Sequence, residues 1–192
     1  MSRAKGAARR SAVAILGLLR KNRHERTGYE LYGAAVAAAR APVFYTQLGV
    51  PDTLDGRFDL VGLHVSLLIR HLRRRPAPGP ALSQAVFDAM FNDMDVNLRE
   101  MGVGDLSVGK RVRAMWEAFH GRAAAYEAAL DDPDVSALSK ALARNVWRGG
   151  DAEGADALAK VARAQDAALA TQSIEDFAAG RVIYRPAADL LA

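Results

Sequence analysis

The sequence predicts an all-α fold, a single-domain helical bundle with a basic N-terminal extension, on three observations. Apolar residues recur at helical spacing through most of the chain, alanine dominates the composition, and no stretch keeps a strand-like alternation for long. No repeat of solenoid length recurs. With 192 residues, 51% of them hydrophobic, the chain is long enough for one buried core and short for two. We expect a basic extension over 1–26, a helical domain over 27–180 and a C-terminal tail over 181–192.

The net charge of +4 conceals a division, because residues 1–75 carry 14 Lys and Arg against 5 Asp and Glu. Such a basic end suits an anionic partner, with nucleic acid and a membrane surface both eligible on charge alone. The extension holds Arg9, Arg10, Arg20 and Lys21 around the apolar run "AVAILGLL", residues 12–19. As a helix this run sets Ala12, Ile15, Leu16 and Leu19 on one face. It is far shorter than the ~20 residues of a membrane span. It is followed by "RKNRHER" where a secretory signal would carry a small-residue cleavage site. A membrane-surface helix and a solvated basic tail both fit.

The first helix of the domain reads as 27–41, with Thr27 as N-cap and Pro42 stopping it. A loop-rich passage follows, anchored by Phe44 and Tyr45. The segment from Phe58 to Ile69 is apolar almost all round, which marks the buried centre of a bundle. "PAPGP", 76–80, is the clearest break. Beyond it Phe87, Met90, Phe91, Met94, Leu98 and Met101 form one helical face. Further helices are expected from about Ser107 to Leu130, after Pro133, and over 151–171. The pattern beyond Gly180 specifies little.

"GDLSVGKR", Gly104 to Arg111, matches a phosphate-binding loop until Arg111 stands where Ser or Thr should meet magnesium. The residues before it end an amphipathic helix, whereas a phosphate loop follows a strand. A helix-to-helix turn explains more: Gly102 ends one helix in a left-handed conformation and Ser107 caps the next. Glu117 and His120 form one Glu-x-x-His, half of a di-iron motif, and no second half stands in frame. His64 and His71 share a face and read as histidines satisfied by their neighbours. The chain has no cysteine, and no serine stands in a nucleophile-elbow context. Nothing demands an enzyme, a metal or a cofactor.

Phe91 to Leu130 reads "FNDMDVNLREMGVGDLSVGKRVRAMWEAFHGRAAAYEAAL". An acidic Asp-Met helix, Leu98-Arg99-Glu100, Gly102-Val103-Gly104-Asp105, the basic Lys110-Arg111 and then Phe119, Gly121-Arg122 and Tyr126 stand in this order. The stretch resembles the ubiquinol–cytochrome c chaperone family, and the resemblance runs from roughly Gly28 to Trp147. It implies an assembly factor that binds newly made cytochrome b or another subunit of respiratory complex III, with no nucleic acid partner. It also implies work in the bacterial cytoplasm, peripheral to the inner membrane, or on the matrix side in mitochondria. Under that resemblance Asp88, Asn92, Asp95, Arg99, Asp105, Lys110, Arg111, Arg122 and Tyr126 become candidate client contacts. Gly102, Gly104, Phe119 and Gly121 become shape-determining positions, and the extension becomes the membrane-facing part.

Overall fold

The computed structural model describes residues 23–191. The membrane-surface expectations at Arg9, Arg10, Arg20 and Lys21 therefore lie outside the described residues. Helix α1 covers 23–39 and is followed by the short α2, Val43–Thr46. Then come α3, Leu54–Arg73; α4, Gly79–Glu100; α5, Asp105–Asp131; α6, Ser136–Val146; and α7, Ala155–Ala170. The short α8, Ile174–Ala178, and α9, Ala187–Leu191, close the chain. The described residues are all-α, as the sequence predicts.

Helix α3 is the axis of the bundle and packs against α4, α5, α6 and α7. Its Leu60, Leu63, Leu67, Leu68 and Leu72 are all at most 1% exposed. Full burial of each such side chain contributes about 2 kcal/mol. Thr53 caps its start, accepting from the Gly56 amide at 3.1 Å. Arg70 and His71 lie in its last turn, where cations favour the helix dipole. Arg70, with a side chain 8% exposed, donates two hydrogen bonds to Asp131 at the end of α5 and lies 3.4 Å from Asp166 of α7. Hydrogen bonding from Arg70 holds the Asp131 carboxyl well below the usual carboxylate range. His71 reaches Asp166 at 2.8 Å, and His64 reaches the Leu60 carbonyl at 2.8 Å. Both histidines are satisfied by neighbours, as expected.

Three local expectations are corrected. Helix α1 already includes residues 23–26, so Thr27 is a buried position inside it rather than its N-cap. Helix α5 begins at Asp105 with Gly104 at the N-cap, and Ser107 therefore sits within its first turn. Met101 lies past the last turn of α4, 53% exposed, and leaves the buried stripe that Met90 and Leu98 keep. Beyond Gly180, where the sequence pattern specifies little, the chain is held by hydrogen bonds. Gln165 of α7 exchanges two hydrogen bonds with the backbone of Arg185, at 2.7 and 2.9 Å. Gln172, just past the end of α7, does the same with Ile183, at 2.8 Å each. Two side-chain amides thus do for residues 183–185 what a neighbouring strand would do. The Tyr184 hydroxyl then donates to the His64 carbonyl at 3.0 Å.

Candidate functional site

The outer side of α4 carries the polar residues expected to meet a partner. Asp88 and Asn92 are exposed there, and Asp88 accepts from Gln84 at 2.7 Å. Helix α1 runs alongside, with Gly28 set against Ala85. A Cβ at Gly28 would fall 2.6 Å from the Ala85 backbone, so glycine is what lets the helices meet. Further along, the Tyr32 hydroxyl donates to Asp93 at 2.7 Å, and the Asn92 amide donates to the Tyr29 hydroxyl at 3.2 Å. Burial is the larger cause, and Asp93 the second, of the upward shift of the Tyr32 phenol.

Outside this crossing, α1 and α4 enclose a groove of about 740 Å³. Its apolar floor is Tyr29, Ala81, Ala85, Ala89 and Phe91, and its rim carries Glu25, Gln84, Asp88 and Asn92. Three of the five floor residues are alanines, and the rim supplies hydrogen-bonding groups. That is a surface for an apolar segment with polar flanks.

At the far end of α4, Arg99 pairs with Asp95 at 2.6 Å and with Asp105 at 2.5 Å, tying the two helices across the turn. Gly102 makes the turn possible with φ +79°, and its amide bonds the Arg99 carbonyl at 2.9 Å. The segment Gly104–Arg111 is an N-cap residue followed by helix, with Lys110 and Arg111 exposed on α5. No strand precedes it and no phosphate cradle forms. Two of the shape-determining positions do not need glycine. Gly104 has φ −61°, Gly121 lies within α5 without positive φ, and both have open space where a Cβ would stand. Glu117 and His120 are engaged within α5, by Arg113 at 3.0 Å and by the Trp116 carbonyl at 3.0 Å.

Of two further residues expected to make contacts, Tyr126 is buried and Arg122 is partly buried and paired inward. Tyr126 is 2% exposed, and burial pushes its phenol well up. It joins Phe87 and Phe119 in lining a second cavity, of about 330 Å³, between α3, α4 and α5. Phe119 packs on Phe87 and Phe91 with ring centroids 5.8 and 6.0 Å apart. Arg122 donates to Asp59, whose side chain is fully buried on α3. Arg148, at φ 51° in the α6–α7 connection, approaches the other Asp59 oxygen at 2.9 Å. Burial pushes the Asp59 carboxyl up to about 6, against the pull of Arg122 and Arg148. A sequence pattern cannot reveal this cluster, since Asp59 and Arg122 are 63 residues apart.

Fold and groove together now meet the comparison with known proteins. A model of the ubiquinol-cytochrome C chaperone family matches residues 46–184. The chain belongs to the ubiquinol-cytochrome c chaperone family. A crystal structure of the Cbp3 homolog from Brucella abortus is similar at a TM-score of 0.79 and 36% sequence identity, over 91% of this chain and 98% of that one. The ubiquinol-cytochrome-c reductase complex assembly factor 1 of Xenopus laevis is 24% identical over 159 residues, 81% of this chain and 79% of that protein. The matched family region takes in the α4–α5 turn, the Asp59 cluster and the Gln172–Ile183 contact. No helix among the described residues is long and apolar enough to cross a membrane.

Proposed function

We propose that this protein is an assembly factor for the cytochrome bc complex, respiratory complex III, and that it holds newly made cytochrome b through the α1–α4 groove. The family and the assembly-factor relative support the role. One observation carries the site: an apolar floor of alanines with Phe91 and Tyr29, edged by Asp88 and Asn92. A newly made membrane subunit offers apolar segments with polar ends, and an apolar floor edged by polar groups can cover such a segment. Asp95, Arg99, Asp105, Lys110 and Arg111 extend the contact face along α4 and onto α5. The work is done at the cytoplasmic face of a bacterial inner membrane.

The test is complementation of a strain lacking the gene, reading complex III content and cytochrome b recovered with the tagged protein. Ala81→Trp, which fills the exposed end of the groove, and Asp88→Lys on its rim are both surface changes. Each should move the melting temperature little while lowering cytochrome b recovery. Folded variants that restore the complex fully would remove the groove from the function. A deletion strain with normal complex III would remove the role itself.

A further inference from the structure

The α1–α4 groove carries carboxylates and no lysine or arginine. Glu25 and Asp88 line it, and its remaining ionisable groups are His24 and the Tyr29 hydroxyl. Both acids are exposed, and neither is in an ion pair among the described residues. Asp88 accepts only from the neutral Gln84 amide, at 2.7 Å. The carboxylates next to them are already answered. Arg26 holds Glu30 at 3.0 Å, Arg99 holds Asp95 at 2.6 Å, and Asp93 accepts from Tyr32 at 2.7 Å.

The cations of α1 stand away from the two acids. On a helix, Arg23 and Arg26 share one side with Glu30, whereas Glu25, Tyr29 and Tyr32 share another. The second side is the one that meets α4, through Tyr29 with Asn92 and Tyr32 with Asp93. Between Gly79 and Leu98, α4 itself has three aspartates and no lysine or arginine.

Unpaired acids beside an apolar floor choose among apolar segments. Covered by an uncharged segment, each acid gives up water without return, whereas a lysine or arginine beside it restores a charged partner. A second copy of this chain, groove to groove, would set these acids against each other. Transmembrane segments gather Lys and Arg where they end on the cytoplasmic side. We propose, on the reading that the groove is the client site, that its occupant is the cytoplasmic end of a transmembrane segment. The apolar residues of that end lie on Tyr29, Ala81, Ala85 and Phe91, and the lysines or arginines that follow meet Glu25 and Asp88. The groove then selects one end of a segment, by charge as well as by hydrophobicity.

Three fluorescent helical peptides that share a Leu/Ala core and end in paired lysines, serines or glutamates test this. Anisotropy with the full-length protein at low salt gives a dissociation constant for each. The lysine peptide should bind tighter than the serine peptide by roughly threefold for each acid engaged, and the glutamate peptide should bind most weakly. Glu25→Gln with Asp88→Asn, checked for an unchanged melt, should bring the lysine and serine peptides to one affinity. About 1 M salt, with a Debye length of ~3 Å, should do the same in the unsubstituted protein. Peptides that bind alike, and are all weakened by Ala81→Trp, would keep the groove as the client site and overturn its preference for a basic end. Peptides that ignore Ala81→Trp, or do not bind, would overturn both. Tighter binding of every peptide after Leu16→Asp and Leu19→Asp would make the chain's own extension the occupant, which also overturns the proposal.

Discussion

The Arg122 guanidinium on α5 donates to the Asp59 carboxylate on α3, whose side chain has no exposed surface, and Arg148 holds the same carboxylate from a third element. Helix α5 is thus fixed to the axis of the bundle by charge as well as by the buried Phe119 and Tyr126 on either side. Removing one partner of a buried pair costs about 3–5 kcal/mol, and here Arg148 stays beside the carboxylate and offsets part of that. We expect Arg122→Ala to destabilise by up to that order in urea unfolding at neutral pH. The deficit should shrink on acidification. Loss of Arg122 raises the folded-state pKa of Asp59 still further above its unfolded value, so the stability tied to its protonated form returns as pH falls. A deficit that stays constant down to about pH 5 would argue against a charged Asp59 as its cause.

His64 carries the opposite pH dependence. Burial between Phe44 and Tyr184, with ring centroids 5.7 and 5.5 Å away, lowers its pKa to about 4, opposed by its hydrogen bond to Leu60. The unfolded chain takes up the proton near its ordinary value of about 6.5, before the folded one does. Stability is therefore lost as pH falls from about 6.5 towards 4, by roughly 3 kcal/mol when complete. The Asp59 contribution has the reverse sign over part of that window but is shared by wild type and a His64→Gln variant. We expect the variant to lose markedly less stability than wild type between neutral pH and about pH 4.5. Parallel losses in thermal melts would exclude His64 as the source.

The glycines of the α4–α5 turn separate by backbone geometry. Gly102→Ala puts a side chain at φ +79° and should cost about 1–2 kcal/mol. Gly104→Ala meets an ordinary φ of −61° and open space, so its effect should stay within about 0.5 kcal/mol. Thermal melts of the two single variants decide the point, and a cost at Gly104 equal to that at Gly102 would refute it.

What the sequence made legible is what repeats along a helix or breaks one. The apolar run of α3, the stripe through Met90, Phe91 and Leu98, and the left-handed Gly102 all follow from spacing and residue type. Much of the candidate site does not. The groove exists because Gly28 lets α1 approach Ala85, a meeting of residues more than fifty positions apart. Arg122 and Tyr126 lie on the half of α5 that turns inward, while Lys110 and Arg111 lie on the half that does not. Nothing in the local pattern of α5 marks where that change falls. Only the position of α3 does.

The amides of Gln165 and Gln172 engage residues 183–185 through peptide groups alone, so at Ile183 and Arg185 they impose no side-chain identity. The hold survives almost any replacement there except proline, which has no N–H to give. In evolutionary terms this stretch can drift in composition while staying docked. Apart from Tyr184, a segment kept in place this way leaves little signature in its own residues; the constraint is written instead into two glutamines seven positions apart, one on α7 and one just past its end.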